Sequence, residues 1–190
     1  MKKIILASGS PRRKMLLQWA EIEFEVITSD VQEDFDPSMS PQEVAISLAV
    51  RKNSAVFGAL GKLHDTVVIA ADTLVVLNGV IINKPVDRSD AIAMLSRLSG
   101  ATHEVITGVN IRSIDHNCVF YDRTRVSFHP LTSDQIEHYV DTYRPYDKAG
   151  AYAIQEWIGV VGIRSIEGDF YNVMGLPISR VLQEIQPFIQ

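Results

Sequence analysis

From Thr66 to Leu77 the chain is almost continuously apolar: Thr66-Val67-Val68-Ile69-Ala70-Ala71, then Asp72-Thr73, then Leu74-Val75-Val76-Leu77. A strand of this kind is covered on both faces, so it belongs at the centre of a sheet with helices packed against it. Asp72 interrupts the run. A carboxylate there loses its hydration unless something pairs with it, which leaves metal coordination, proton transfer or a structural hydrogen bond as readings. Ligands in α/β sheets gather at strand ends, which favours a functional Asp72. Asn78-Gly79 then signals a two-residue hairpin into Val80-Ile81-Ile82. In that register Leu77 faces Val80, and counting outward brings Lys84 opposite Thr73, next to Asp72. Lys84 reads equally well as an exposed lysine closing an edge strand before Pro85.

The start of the chain carries a second constraint. Ile4-Ile5-Leu6 is a short buried-strand pattern, Ala7-Ser8-Gly9-Ser10 a small-residue turn, and Pro11 suits the first position of a helix. Arg12, Arg13 and Lys14 then fill the first helical turn, where the helix dipole disfavours cations. A strand, a Gly/Ser turn and a helix start with added positive charge make an anion cradle, and phosphate is the expected guest. An exposed basic turn is the alternative.

That charge is local. The 190 residues carry a formal net charge of -5, which argues against a general nucleic-acid binder or an anionic-membrane binder. The length suits one domain over 1–190 or two closely packed lobes, and 46% apolar with 22% charged residues leaves a sizeable core available. No stretch is long and apolar enough to span a bilayer. The apolar run after Met1-Lys2-Lys3 is too short for a signal peptide. Cys118 is the only cysteine, so a reducing, cytoplasmic setting is expected. The histidines (His64, His103, His116, His129, His138) are scattered without metal-binding spacing, so no zinc site is inferred.

Other segments supply further candidates. Glu23 to Thr28 reads as a strand, followed by an acidic loop whose Asp30, Glu33, Asp34 and Asp36 read either as a solvated acidic surface, the commoner case, or as including a metal ligand. A helix is expected from Pro41 to about Leu60, with Val44, Leu48, Ala49, Ala55 and Val56 as its buried stripe. Lys52 falls on that stripe, so it either snorkels or meets an anion. Ser89 to Leu98 reads as a helix and Thr102 to Ile111 as a strand. The chain returns through Val119 to Phe128, and Thr132-Ser133-Asp134-Gln135 opens another helix with a capping-box pattern. Asp147-Lys148-Ala149-Gly150-Ala151-Tyr152-Ala153-Ile154-Gln155 precedes a strand-like run from Trp157 to Ile163. Gly175 and Pro177 turn the chain into a last helix, roughly Ile178 to Ile185.

Six of these pieces, in order, resemble the Maf family of nucleoside triphosphate pyrophosphatases. They are Ala7-Ser8-Gly9-Ser10-Pro11-Arg12-Arg13, Ala71-Asp72-Thr73, Lys84-Pro85, Leu98-Ser99-Gly100, the segment from Asp147 to Gln155, and Val173-Met174-Gly175-Leu176-Pro177. The resemblance implies a cytoplasmic α/β enzyme: an elongated mixed β-sheet flanked by helices in two lobes with a central cleft, often a homodimer. It implies hydrolysis of a nucleoside triphosphate to the monophosphate and pyrophosphate with a divalent metal. Magnesium is expected from oxygen-only ligands, with manganese as the alternative.

By position, the resemblance has Ser8, Arg12, Arg13, Lys52 and Lys84 hold phosphate. It makes Asp72 the general base or a metal ligand, and Glu33 a metal ligand. The segment from Asp147 to Gln155 resembles the branch acting on dTTP and UTP, in which Arg12, Thr73 and Gln155 are associated with base choice. The chain departs from the family pattern at Asn53, Asn83, Ala153 and Glu156. The last two flank Ile154-Gln155 where glycine is common, so the same reaction on another base stays open. A nucleotide-binding regulator of cell division is the reading from a different class. Asp72 favours the enzyme, because a carboxylate repels bound phosphates unless a metal intervenes.

Overall fold

The computed structural model describes residues 2–61 and 65–189; Met1 and His64, named above, lie outside them. The elements in chain order are β1 (Lys3–Leu6), α1 (Pro11–Trp19), β2 (Glu25–Val26), α2 (Pro41–Leu60), β3 (Thr66–Leu77), β4 (Val80–Ile82), α3 (Arg88–Leu98) and β5 (Thr102–Arg112). They continue with β6 (Asn117–Phe128), α4 (Ser133–Tyr143), α5 (Trp157–Gly162), β7 (Ile163–Glu167), α6 (Phe170–Met174), α7 (Ile178–Glu184) and α8 (Gln186–Ile189). Among the described residues the strands form a seven-stranded sheet in the order β2-β1-β3-β5-β6-β7, with β4 paired to β3. It is mixed: β1 runs parallel to β2 and β3, whereas β4 and β7 are antiparallel to their partners. The expected mixed sheet flanked by helices is what forms.

The chain divides into two compact units. One holds residues 1–73, 107–122 and 175–190, and the other residues 74–106 and 123–174. In the first, β1 aligns with β3 from Lys3↔Thr66 to Leu6↔Ile69. Ile5, Ala7, Val68 and Ala70 pack with Val56 of α2 into a core that Ile27, Phe57 and Leu60 extend. Helix α2 begins with a full capping box, Ser40 with Glu43, after which Pro41 needs no N–H partner. Its buried stripe is Val44, Ala45, Leu48, Ala49, Asn53 and Val56. Ala55, expected inward, is exposed, and Asn53 takes the inward place that the 3.6-residue period assigns after Ala49. A polar residue is tolerated there because its amide bridges two strands: Asn53 Nδ2 donates to Val68 O at 2.9 Å and Asn110 O at 3.0 Å. β2 is confined to two residues, Ile5↔Glu25 and Leu6↔Val26 being its whole pairing with β1.

In the second unit, α3 packs on α4 and on a 3-10 turn at Ala149–Ala151. The hairpin register is as counted, Leu77↔Val80, but the ladder ends at Val75↔Ile82. Lys84 therefore lies beyond the pairing that was to set it opposite Thr73. Past Ile82 the Asn83 carbonyl accepts from Gly150 N at 3.1 Å, outside the ladder, and Pro85 then offers no N–H with which to resume it. The run from Trp157 is also corrected: Trp157–Gly162 is helical and only Ile163–Glu167 is strand. Its aromatic and β-branched residues favour a strand by propensity, but packing overrides propensity here. A Cβ on Gly159 would sit 1.7 Å from Ile154 O, and one on Gly162 3.1 Å from Phe128, so these glycines let the helix lie closer than a side chain permits.

His103 of β5 is buried in this unit, 1% exposed, with Nε2 2.7 Å from the Tyr152 hydroxyl and both rings against Phe128. Burial pushes its pKa from the usual 6.5 down to about 4. The unfolded chain takes up this proton as pH falls below about 6.5, and the native chain does not until about 4, so stability drops across that window. The expected loss attributable to His103 is about 3 kcal/mol between pH 7 and pH 4. Urea unfolding of His103→Gln, which keeps a partner for Tyr152 without titrating, should show that much less pH dependence. Parallel curves for the two proteins would remove His103 from the effect.

Candidate active site

β1 and β3 point the same way. Counting on from Leu6↔Ile69, the chain after β1 leaves the sheet at Ser8-Gly9, level with Ala71 and Asp72. Ser8 follows the carboxyl end of β1, the usual ligand position in such sheets. Asp72, expected at a strand end, lies instead in the middle of β3, just past its pairing with β1, because the strand runs on to Leu77. Helix α1 starts directly after the turn. Pro11 stands at its first position, and Ser10 makes no side-chain cap, leaving the opening N–H groups without that acceptor.

Arg13 of α1 points inward, only 8% exposed. Its Nε donates to Gly175 O at 2.8 Å, one terminal nitrogen to Ser8 Oγ at 3.0 Å and the other to Thr73 Oγ1 at 3.0 Å. Thr73 Oγ1 also lies 3.0 Å from Thr107 Oγ1 and 3.3 Å from Gly175 O. Burial lowers the Arg13 pKa, Asp72 opposes that shift, and the neighbouring Arg12 charge adds to it. The guanidinium stays charged and knits the turn after β1, β3 and the loop before α7 into one piece. Gly175 suits that loop because its φ of +115° disfavours any side chain. Ser8 Oγ accepts from Arg13 and, at 3.2 Å, from Ser10 N. With both lone pairs engaged, its hydroxyl can meet a further ligand only as a donor, which is what an anion requires.

The acidic half lies in the same unit. Lys52 Nζ, from α2, is 2.5 Å from Asp72 Oδ1 and 2.7 Å from Glu33 Oε1. Asp72 is 7% exposed and Lys52 largely buried, so this is the partner that the buried carboxylate demands. Glu33 has no regular element to place it; Arg51 does so instead. Arg51 donates to the carbonyls of Gln32 and Asp34, on either side of Glu33, and at 2.7 Å to Asp34 Oδ1. The hydrogen bond from Arg51 draws the Asp34 pKa down. Consecutive residues of α2 thus hold the loop and meet its carboxylate.

Among the described residues no group of three or more His, Cys, Asp or Glu is placed to hold a metal ion. Asp72 and Glu33 both meet the Lys52 ammonium, and their oxygens are of the type that suits a hard cation such as Mg²⁺, which commonly takes one or two carboxylates and completes its shell with water and phosphate oxygens. In the other unit, Lys84 and Gln155 belong to adjoining segments, because Gly150 N donates to Asn83 O at 3.1 Å. Gly150 has a φ of +69°, and a Cβ there would come 3.0 Å from Val75, so glycine is required on both counts.

A family model described as Maf-like protein matches residues 3–188. The chain belongs to the Maf family. Among curated Maf relatives, a protein of Cytophaga hutchinsonii named dTTP/UTP pyrophosphatase is 47% identical over 96% of this chain and 83% of its own. One of the same name from Bacillus cytotoxicus is 46% identical over 99% of this chain and 96% of its own. Among solved structures, a nucleoside-triphosphatase / dITP/XTP pyrophosphatase of Mycobacterium abscessus overlaps 68% of this chain and 75% of its own, at a TM-score of 0.40 and 15% identity. That likeness is too faint to bear on fold or activity.

Of the candidates, Ser8, Arg13 and Thr73 come together in this Maf chain, as do Glu33, Lys52 and Asp72, while Arg12 is half-buried beside Arg13. Sequence reasoning missed Arg51, Thr107 and the carbonyl of Gly175. Arg51 precedes Lys52, but nothing in its spacing shows that it reaches a loop some twenty residues earlier in the chain. Thr107, inside an apolar strand, carried a signal like that of Asp72.

Proposed function

We propose that this chain hydrolyses pyrimidine nucleoside triphosphates, dTTP and UTP, to the monophosphate and pyrophosphate. The observation that carries this reading is the meeting of Asp72 and Glu33 at Lys52, in a chain close to half identical to relatives named for that reaction. Ser8, the start of α1, Arg12, Arg13, Lys52 and Lys84 bind the phosphates. Arg13 also holds the cradle in shape, since three of its five N–H groups go to Ser8, Thr73 and Gly175 and two are left for phosphate. Asp72 takes the proton of the attacking water as the bond between the α- and β-phosphates breaks, and pyrophosphate departs with the bridging oxygen. Glu33 and Asp72 are the residues that would hold a divalent metal, magnesium by donor type with manganese as the alternative; it would supply neutralisation of phosphate charge.

Thr73, Arg12 and Gln155 choose the base. The chain works as a single domain over 1–190, in the cytoplasm and as a homodimer. These three points rest on the family resemblance, and among the described residues no helix is long and apolar enough to cross a membrane.

Pyrophosphate release from a panel of nucleoside triphosphates, with Mg²⁺ and with a chelator, tests the reading. Metal-dependent release favouring dTTP and UTP is expected. Release favouring another base would keep the chemistry and discard the specificity. Nucleotide binding without release from any substrate would make the chain a regulator.

A further inference from the structure

Ala153 and Glu156, the two departures from the family pattern around Gln155, both reach the same atom. The hydroxyl of Tyr139, on α4, accepts a hydrogen bond from Ala153 N at 3.1 Å and donates one to the Glu156 carboxylate. Tyr139 is fully buried, 0% exposed. Between these anchors the chain makes a tight turn, Glu156 N to Ala153 O at 3.1 Å, followed by Gly159 N to Glu156 O at 2.9 Å. Residues 151–154 are buried, and Gln155 alone turns outward at the tip. The backbone contact of Gly159 with Ile154 O packs the turn from behind.

The second Glu156 oxygen faces Lys148 Nζ at 3.6 Å, and Lys148 donates to Asp147 Oδ1 at 2.6 Å. Lys148 is itself 7% exposed, so the carboxylate is balanced by a buried cation. One phenol thus ties both ends of a four-residue turn to a helix, and an ion pair steadies one of those ties.

We propose that Tyr139 and Glu156 are positioning residues for base selection, acting by fixing the turn that presents Gln155. The inference rests on the reading of Gln155 as a base-choosing residue. An amide discriminates between bases only if its donor and acceptor are held in one place, because a mobile amide can satisfy the wrong edge as well as the right one. Tyr139→Phe frees the Ala153 N–H and the Glu156 carboxylate together. Glu156→Ala frees one end, and Glu156→Gln keeps an acceptor for the phenol while removing the charge facing Lys148.

The test is the ratio of kcat/KM for dTTP to that for dCTP, measured on the same preparation of each variant. The ratio does not depend on the fraction of molecules folded, so a variant that is only less stable leaves it unchanged. Gln155→Ala serves as the reference. The expected result is a fall in the ratio of about tenfold for Tyr139→Phe and Glu156→Ala, carried by KM more than by kcat, with Glu156→Gln retaining most of the preference. Should Gln155→Ala shift the ratio while Tyr139→Phe and Glu156→Ala leave it within twofold, the positioning role is overturned. If Gln155→Ala leaves it unchanged too, Gln155 does not choose the base, and the inference falls with that reading.

Discussion

Asp72→Asn is expected to lower turnover of dTTP by about a thousandfold, within the range set by loss of a positioned general base, while nucleotide binding is largely kept. The substitution keeps the shape of the side chain and an oxygen that can accept from Lys52, now 2.5 Å from Asp72 Oδ1. It removes the charge and the ability to take a proton. Thermal unfolding of the variant should stay close to that of the parent, so lost turnover cannot be ascribed to lost fold. Turnover within about tenfold of the parent would take Asp72 out of the mechanism and leave it as the structural partner of Lys52.

Gly108→Ala is expected to destabilise the protein by about 3 kcal/mol, which for a chain of this size lowers the melting temperature by about 10 °C. Gly108 lies in β5 under α2. A Cβ there would sit 2.3 Å from the carbonyl carbon and oxygen of Ala45 and 2.5 Å from Ile46 N. These are backbone atoms, so no rotamer change relieves the clash and the helix must move off the sheet. The same helix carries Arg51 and Lys52, so activity per folded molecule should fall as well. A melting temperature within about 2 °C of the parent would show that α2 can lift without loss of packing.

Much of this protein is legible along the chain because its signals are local. The apolar run of β3 calls for a central strand, Asn78-Gly79 sets the hairpin register from Leu77↔Val80, and the capping-box pattern at Thr132 to Gln135 opens α4 where it begins. Asp72 stands out because a carboxylate in a buried strand needs a partner. The failures also have local causes. Helical spacing from Leu48 puts the apolar Ala55 inward, but the same spacing from Ala49 falls on Asn53, which is the residue buried. Trp157–Gly162 looked like strand because its residues prefer strands, and only the glycine contacts with Ile154 and Phe128 explain the helix.

The sequence by itself determined the order of elements from β1 to α4 and the residue types needed for phosphate chemistry, since backbone propensity, burial period and turn chemistry act over a few neighbouring residues. Only the tertiary structure decided which side chains meet. The helix start shows Arg13 as a cation beside the turn, but not that it reaches Ser8, Thr73 and Gly175, the last of these 162 positions along the chain. Glu33 sits in an irregular loop that Arg51 anchors, and Glu156 became intelligible once Tyr139 was found against it. Such contacts depend on how distant segments pack, and a hydrogen bond formed or missed over less than 1 Å leaves no trace in local sequence pattern.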